Sequence, residues 1–438
     1  MIFSRCSGVV LVLLAISGVC AMKPVNIHVG KNLAHRTHGE ILAHVQSKHQ
    51  QHDHFLVSNP NATDIELFGN VYPVGIYWFY ISIGTPAVQF PVAIDSGSYT
   101  LDIPGVGCNG CISKSPNQFY DVTKSSTGKR ILCGPSHGCM SGCQNGYCYF
   151  SNTYETCDLK HPTAPCTITG DWYTDQASIG PLGPVSINFG AISYQTSNFY
   201  QFQNIDGVMG IAGPAGKTNM FNTLFSGGKV PANEFAMCFN PGSKSNGTLT
   251  LGGVDSRLYT GSFQTVKNSG QGDYEMPMLN IEVAGQEVEG TRTSAILDSG
   301  TNILLLPTQA FNSMKTIFVN NCTKNPLVGV CGKGECPTIF DGTCFPLTAS
   351  QRAAYPPITV NLDGASLNVP VSSYLVLGNS SPGNYCLGVL PTGPGGFLII
   401  GDTIMENYYV SVGSWCVLMR DCDETKAKTT SSTGLTLP

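Results

Sequence analysis

Ala93-Ile94-Asp95-Ser96-Gly97-Ser98 is answered, some two hundred residues later, by Ala295-Ile296-Leu297-Asp298-Ser299-Gly300-Thr301. Both are apolar runs that should form buried strands, and both end on Asp, a hydroxyl residue, Gly and a second hydroxyl residue. A carboxylate at a buried strand end is costly unless it is hydrogen-bonded. The residues behind it answer that need: Gly lets the chain turn sharply and bring its amide close, and the hydroxyls can donate to the carboxylate. One copy could be an ordinary Asp-Ser-Gly turn. Two copies, each behind an apolar strand, read as an internal duplication. Two such carboxylates brought together would share one proton, because like charges in contact cannot both ionise. A general acid and a general base would then stand in one site, able to activate water against an amide carbonyl.

A second theme repeats in step with the first. Asp206-Gly207-Val208-Met209-Gly210-Ile211 and Leu398-Ile399-Ile400-Gly401-Asp402 each place Gly after an apolar pair, about a hundred residues beyond their Asp phrase. Gly in a strand marks close backbone approach. Order and spacing of two motifs are thus shared by the two halves, as duplicated lobes require.

The 438-residue chain suffices for two domains or one large bilobal one. It has 50 Gly and only 12% charged residues, with short apolar runs between Gly/Pro/Asn/Ser clusters, which reads as all-β. A net charge of −5 argues against a nucleic-acid partner. Residues 1–21 read as a secretory signal, with Arg5, an apolar core and a small-residue cleavage site at Val19-Cys20-Ala21. No later segment approaches eighteen consecutive apolar residues, so no membrane anchor is expected. Of 18 cysteines, Cys6 and Cys20 leave with the signal, and the rest suit disulfides in an oxidising compartment. Sequons at Asn61, Asn246, Asn321 and Asn379 agree with a secretory route, ending outside the cell or in a lysosome-like acidic compartment.

Residues 22–66 differ from all that follow: seven of the nine histidines lie between His28 and His54. The text turns aromatic and β-prone from Phe68, which places a pro-segment boundary near Leu67, with cleavage near Leu67-Phe68. A first lobe then covers 67–265, a second 266–422, and a polar Ser/Thr-rich tail 423–438. Within the first lobe, 108–166 is a cysteine-dense insert read as a disulfide-stapled excursion. Zinc or redox chemistry at Cys108-x-x-Cys111 is the lesser reading, since no second well-spaced pair accompanies it.

Taken together, Ile83-Gly84-Thr85-Pro86, the two Asp phrases and the two Gly segments resemble the pepsin-like aspartic endopeptidases over residues 67–422. Gly69-Asn70-Val71-Tyr72-Pro73 and the cysteine-rich insert are most similar to the nepenthesin-like and related protist branches. The resemblance implies an all-β bilobal fold with a cleft between lobes and one catalytic Asp from each, Asp95 and Asp298, holding the lytic water. It implies support from Gly97, Ser98, Gly300 and Thr301, with Ser98 and Thr301 bonding the outer carboxylate oxygens. No metal or other cofactor is required. Protein or peptide substrates are the partners, and the chain's own pro-segment is an intramolecular inhibitor. A monomer is the default.

The resemblance also implies a hairpin flap opening with a Tyr. Tyr173-Thr174-Asp175-Gln176-Ala177-Ser178-Ile179-Gly180 has the required Tyr-to-Gly spacing, which makes Tyr173 and Asp175 the flap and substrate-binding candidates. Thr174 and Gln176 stand where glycines are usual, a departure that should stiffen the hairpin. At Asp102 many relatives have a Trp bonded to the flap Tyr. Either Asp102 or Trp172 takes over that contact, or the flap is placed differently, or Asp102 is a solvated loop residue. Cys344 and Cys386 resemble the pair closing a second-lobe loop, and Cys238 is expected to pair near the C-terminus. Two other classes compete: a non-catalytic pepsin-fold protein that binds peptides or proteins, and a secreted adhesion protein. Both Asp residues and their glycines are intact, which disfavours the first, and the doubled phrases leave the second without an explanation.

Overall fold

The computed structural model describes residues 61–422, apart from 72–74, 112–118, 135–138, 140–141, 155–165, 197–204, 213–218, 240–246, 271, 323–325, 332–337, 379–382, 394 and 414–415. The leader, the His-rich segment as far as residue 60 and the tail therefore lie outside the described residues, as do Tyr72, Pro73, Cys157 and Cys336.

Period-two alternation writes most of the elements. Short pairings aside, the first half runs β1 (Thr63–Asn70), β2 (Ile76–Ile83), β3 (Val88–Asp95), β4 (Leu101–Asn109), β5 (Tyr147–Tyr154), β6 (Cys166–Ile179), β7 (Leu182–Gln195) and β8 (Gly207–Gly210). Helix α1 (Met220–Ser226), capped by the Asn219 side chain on Asn222 N, leads to β9 (Glu234–Cys238) and β10 (Gly247–Leu251). The second half runs β11 (Gln264–Lys267), β12 (Glu275–Val283), β13 (Ser294–Leu297), β14 (Leu304–Leu306), α2 (Thr308–Asn321), β15 (Ile358–Leu362), β16 (Ala365–Val369), β17 (Val389–Pro391) and β18 (Leu398–Ile400). It closes with α3 (Asp402–Met405), β19 (Tyr408–Gly413) and β20 (Cys416–Asp421).

A 15-stranded sheet takes the order β11-β20-β19-β9-β10-β1-β2-β3-β8-β4-β7-β6-β5, with short strands added. An eight-stranded sheet takes the order β16-β15-β12-β13-β18-β14-β17, again with one short strand added. The first Asp phrase sits in one sheet and the second in the other. Strands β11, β19 and β20 cross from the second half to join β9, β10 and β1, so the lobes share a platform. The expected all-β bilobal architecture is the one observed.

The two halves repeat one local design. β8 runs parallel to β3, with Gly210 opposite Asp95, and antiparallel to β4. β18 runs parallel to β13, with Ile400 opposite Leu297, and antiparallel to β14. The glycines are needed for closeness. A Cβ on Gly210 would lie 2.4 Å from Thr100 N, and one on Gly401 2.2 Å from Thr301 O. Real Cβ contacts do not reach such distances, so any side chain there would push the threaded strand off the Asp loop.

The expected pro-segment boundary near Leu67 falls inside a strand. Leu67 is fully buried inside β1, whose residues Thr63–Leu67 pair with Leu251–Gly247 of β10. Leu67-Phe68 is thus mid-strand and closed to a peptidase unless β1 opens. The aromatic onset at Phe68 marked where β1 passes from β10 to β2, with Phe68 opposite Trp78.

Candidate active site

Each Asp phrase leaves its strand, turns at Gly and returns along the threaded segment. Gly97 N and the Ser98 hydroxyl donate to the two Asp95 oxygens. In the same way Gly300 N donates to Asp298 Oδ1 at 2.8 Å and Thr301 Oγ1 to Asp298 Oδ2 at 2.6 Å. The loops face one another closely. A Cβ on Gly97 would fall 2.6 Å from Asp298 Cγ, and one on Gly300 would fall 2.5 Å from Asp95 Oδ1. Each carboxyl therefore lies over the glycine of the other half, where only a bare backbone leaves room.

The first hydroxyl of each phrase does something the sequence reading did not assign. Ser96 and Ser299 are fully buried, and neither donates to its neighbouring carboxylate. Ser96 Oγ donates to Leu297 O at 2.9 Å and accepts from Ser299 N at 2.8 Å. Ser299 Oγ donates to Ile94 O at 2.9 Å and accepts from Ser96 N at 3.0 Å. Four reciprocal bonds thus tie the two Asp loops across the lobes. Their signal was the identical Asp-Ser-Gly in both copies.

Asp95 is buried, and burial first, the Asp298 charge second, push its carboxyl well above the ordinary carboxylate range. The bonds from Ser98 and Gly97 pull the other way. A carboxyl pair so placed favours holding one proton between its members. A third carboxyl stands behind it. Asp402 is fully buried, its amide donates to Thr301 O at 2.8 Å, and neither of its carboxyl oxygens has a hydrogen-bond partner among the described residues. Burial, then the charges of Asp298, Glu406 and Asp95, hold Asp402 well above its ordinary range. In the sequence Asp402 follows the apolar run Leu398–Ile400 with Gly401 between, so it lacks the direct strand-end placing that marked Asp95 and Asp298.

Tyr173 and Asp175 lie inside a continuous strand, with no turn between Tyr173 and Ile179. Residues 166–179 form one 14-residue strand whose hairpin reversal with β7 comes at Gly180-Pro181. With Thr174 and Gln176 where a turn would need glycine, the chain stays extended through this stretch. Tyr173 packs edge-on against Tyr120, ring centroids 5.5 Å apart, and stacks near Phe189. Asp175 is buried and accepts from Tyr120 OH, Thr127 Oγ1 and Gln176 N, a tether within the first lobe. β6 pairs on its other edge with β5, Tyr154 opposite Cys166.

Asp102 is no solvated loop residue: it is fully buried on β4 and accepts from Thr100 Oγ1 at 2.7 Å and Asn152 Nδ2 at 2.8 Å. Trp172 Nε1 and Asp102 Oδ1 both lack hydrogen-bond partners among the described residues. The structure joins Cys344 to Cys386 and Cys238 to Cys422. It also joins Cys322 to Cys331 and, in the insert, Cys108 to Cys111, Cys133 to Cys143 and Cys139 to Cys148. The sulfurs of Cys133, Cys139 and Cys148 cluster within 4.8 Å, yet all three are spent in disulfides, and it is the thiolate that ligates metal. No helix among the described residues is long and apolar enough to cross a membrane.

Comparison with known proteins gives a consistent picture. The profile described as "Eukaryotic aspartyl protease" matches residues 76–132 and 143–413. The chain is 26% identical to Pepsin A of Sus scrofa over 356 residues, 80% of this chain and 79% of that protein. It is 25% identical to Pepsin A of Suncus murinus over 356 residues, and 25% identical to Pepsin-3 of Oryctolagus cuniculus over 355; each match covers 80% of this chain and 78% of the relative.

Proposed function

The chain belongs to the eukaryotic aspartyl protease family and is a pepsin-like aspartic endopeptidase; from that premise we propose that Asp95 and Asp298 are its catalytic dyad and that it works at acidic pH. The observation that carries this reading is the reciprocal packing of each carboxyl over the other half's glycine. Water held between the carboxyls attacks the scissile carbonyl carbon and gives its proton to the ionised member of the pair. The protonated member gives its proton to the carbonyl oxygen. The tetrahedral intermediate then expels the amine, which takes the proton held by one carboxyl while a hydroxyl of the diol gives its proton to the other, so the dyad is again singly protonated. Ser98, Thr301 and the Gly97 and Gly300 amides hold the carboxylates in plane, so little reorganisation is needed at the moment of reaction.

The His-rich segment beginning at residue 22 is the pro-segment in this reading, released in acid. Between residues 22 and 62 four strong bases (Lys23, Lys31, Arg36, Lys48) stand against two acids (Glu40, Asp53), and protonation of the seven histidines below about pH 6 changes the charge most. Processing falls before Thr63, because β1 is paired from that residue on. The leader and the disulfides support a secretory route to the exterior or to an acidic compartment.

The test is digestion of a denatured protein by the purified chain from pH 3 to 7, beside Asp95→Asn and Asp298→Asn, with the new N-terminus read by mass spectrometry. Acid-dependent cleavage lost in both variants, with a new start before residue 63, is the expected result. Equal cleavage by a folded Asp95→Asn or Asp298→Asn protein would overturn the dyad. A new start after Phe68 would overturn the processing site.

A further inference from the structure

A cavity of about 470 Å³ is lined in part by the residues that follow the Asp95 loop. One wall is Tyr99, Thr100 and Leu101, the chain that leaves Asp95; the facing wall includes Cys148 of β5 and Trp172 of β6, and Met220 of α1 also lines it. Its link to the dyad is short. Asn219, also lining the cavity, donates through its side chain to Ile211 O and Ala212 O, while the amides of those two residues bond Asp95 O and Ser98 O. Among the described residues that line it, none is charged.

The two walls are joined by a closed triangle of polar atoms. Asn152 Nδ2, on β5, donates to both Asp102 Oδ2 at 2.8 Å and Thr100 Oγ1 at 3.1 Å, and Thr100 Oγ1 donates to Asp102 Oδ2 at 2.7 Å. The carboxyl fits because the neighbouring strand yields to it: a Cβ on Gly190 would lie 2.2 Å from Asp102 Oδ1. Asp102 and Trp172 both stand opposite Gly190, on the strands either side of it, so the triangle and the Trp172 wall share one register.

We propose that the Asp102–Thr100–Asn152 triangle is a positioning lock that fixes the spacing between these walls, and thereby selects peptides by the size of one uncharged side chain. The substrate class rests on the peptidase reading given above; the lock itself does not. Burial pushes Asp102 up to about 7 against the pull of Thr100 and Asn152. Below that pH its Oδ2 accepts as part of a neutral acid, a role that the amide oxygen of Asn can imitate.

The experiment uses otherwise identical peptides carrying Ala, Leu, Phe or Trp beside a reduced, uncleavable amide, with binding measured by calorimetry at pH 5, and their cleavable twins for turnover. In Asn152→Ala and Asp102→Ala the preference among the four side chains should shrink about tenfold, with kcat for the best cleavable peptide little changed. Asp102→Asn should keep the preference, and the double alanine variant should be no worse than either single one. Should Asn152→Ala not fold, Asn152→Ser, whose hydroxyl falls short of Asp102, takes its place. Uniform weakening of all four peptides, an unchanged preference, or an Asp102→Asn protein that behaves as Asp102→Ala would each overturn the lock. The binding arm needs no turnover, so a failure of the dyad assignment would show in Asp95→Asn kinetics and leave this comparison readable.

Discussion

Replacing Ser96 with Ala isolates the tie between the Asp loops without touching a carboxylate. The substitution removes one hydroxyl that both donates to Leu297 O and accepts from Ser299 N, in a place with no measurable solvent exposure. Two buried backbone groups lose their partner, and each such orphan costs ~1–3 kcal/mol, so the variant should unfold ~2–6 kcal/mol more easily. Against a total stability of about 5–15 kcal/mol that is a large share. Urea unfolding at fixed pH 5, with intrinsic fluorescence and activity followed together, reads it directly. Activity should fall as well, mostly in kcat, because a misplacement of about 1 Å between reacting groups can cost a hundredfold. The partner hydroxyl of Ser299 serves two different groups, Ile94 O and Ser96 N, so a purely local effect makes Ser96→Ala and Ser299→Ala additive. If the lobes instead part as a unit once one tie is gone, the second substitution should add much less than the first. A loss below about 1 kcal/mol in the single variant, with unaltered kcat, would refute the idea that this tie holds the dyad together.

Other substitutions test neighbouring parts of the argument. Gly300→Ala puts a Cβ 2.5 Å from Asp95 Oδ1, so turnover should drop about a hundredfold or more while circular dichroism shows the fold retained; normal kinetics would contradict the close packing. Asp175→Asn leaves at least one buried donor unpaired and should cost about 1–3 kcal/mol with kcat/KM unchanged, whereas a change in substrate preference would return this residue to a flap role. Changing Cys238 and Cys422 together to Ser opens a bridge across 184 residues and should lower stability by about 4–5 kcal/mol in urea, less than about 1 being inconsistent with a bridge formed in the native protein. Asp102, held near 7 when folded and near 4 when unfolded, binds its proton more tightly in the folded chain. Its contribution is therefore complete below about pH 4 and lost as pH climbs through 7, at most about 4 kcal/mol, and Asp102→Asn should flatten that part of the stability–pH curve. An unchanged curve would mean that this carboxyl is not buried as described.

What could be read from residues alone was whatever local chemistry had to declare. An Asp at the end of an apolar run must be solvated by its own loop, so Asp95 and Asp298 came with Gly and a hydroxyl attached. Gly210 and Gly401 were legible as close approaches, though not which strand approaches. What stayed hidden was pairing over distance. Asn152 and Asp102 are 50 positions apart and sit in unremarkable text, and only the β4–β7–β6–β5 order brings them together. The Tyr-to-Gly spacing at Tyr173 falls where burial alternates from Cys166 to Ile179 with a single break at Tyr173-Thr174. A turn there had no glycine to make it, and the alternation was the better guide. A local cue of the same kind, the aromatic onset, sets the pro-segment boundary near Leu67, where β1 changes pairing partner.

The two halves of the site cannot be understood one at a time. Asp95 is cradled by Gly97 and Ser98 of its own loop, but the space it occupies is left by Gly300, and its loop is held by Ser299. Asp298 depends in the same way on Gly97 and Ser96. A lobe by itself would expose two backbone groups that only the other lobe's hydroxyl satisfies, and would present a carboxylate with no neighbour to share its proton. Its carboxyl would then lose the Asp298 charge, which after burial is the next cause that raises Asp95. The acid–base pair is thus a property of the junction. On the proposed dyad, the four hydrogen bonds that join the lobes hold the two carboxyls together, so a loosened junction should be read in kcat as well as in the melting of the fold.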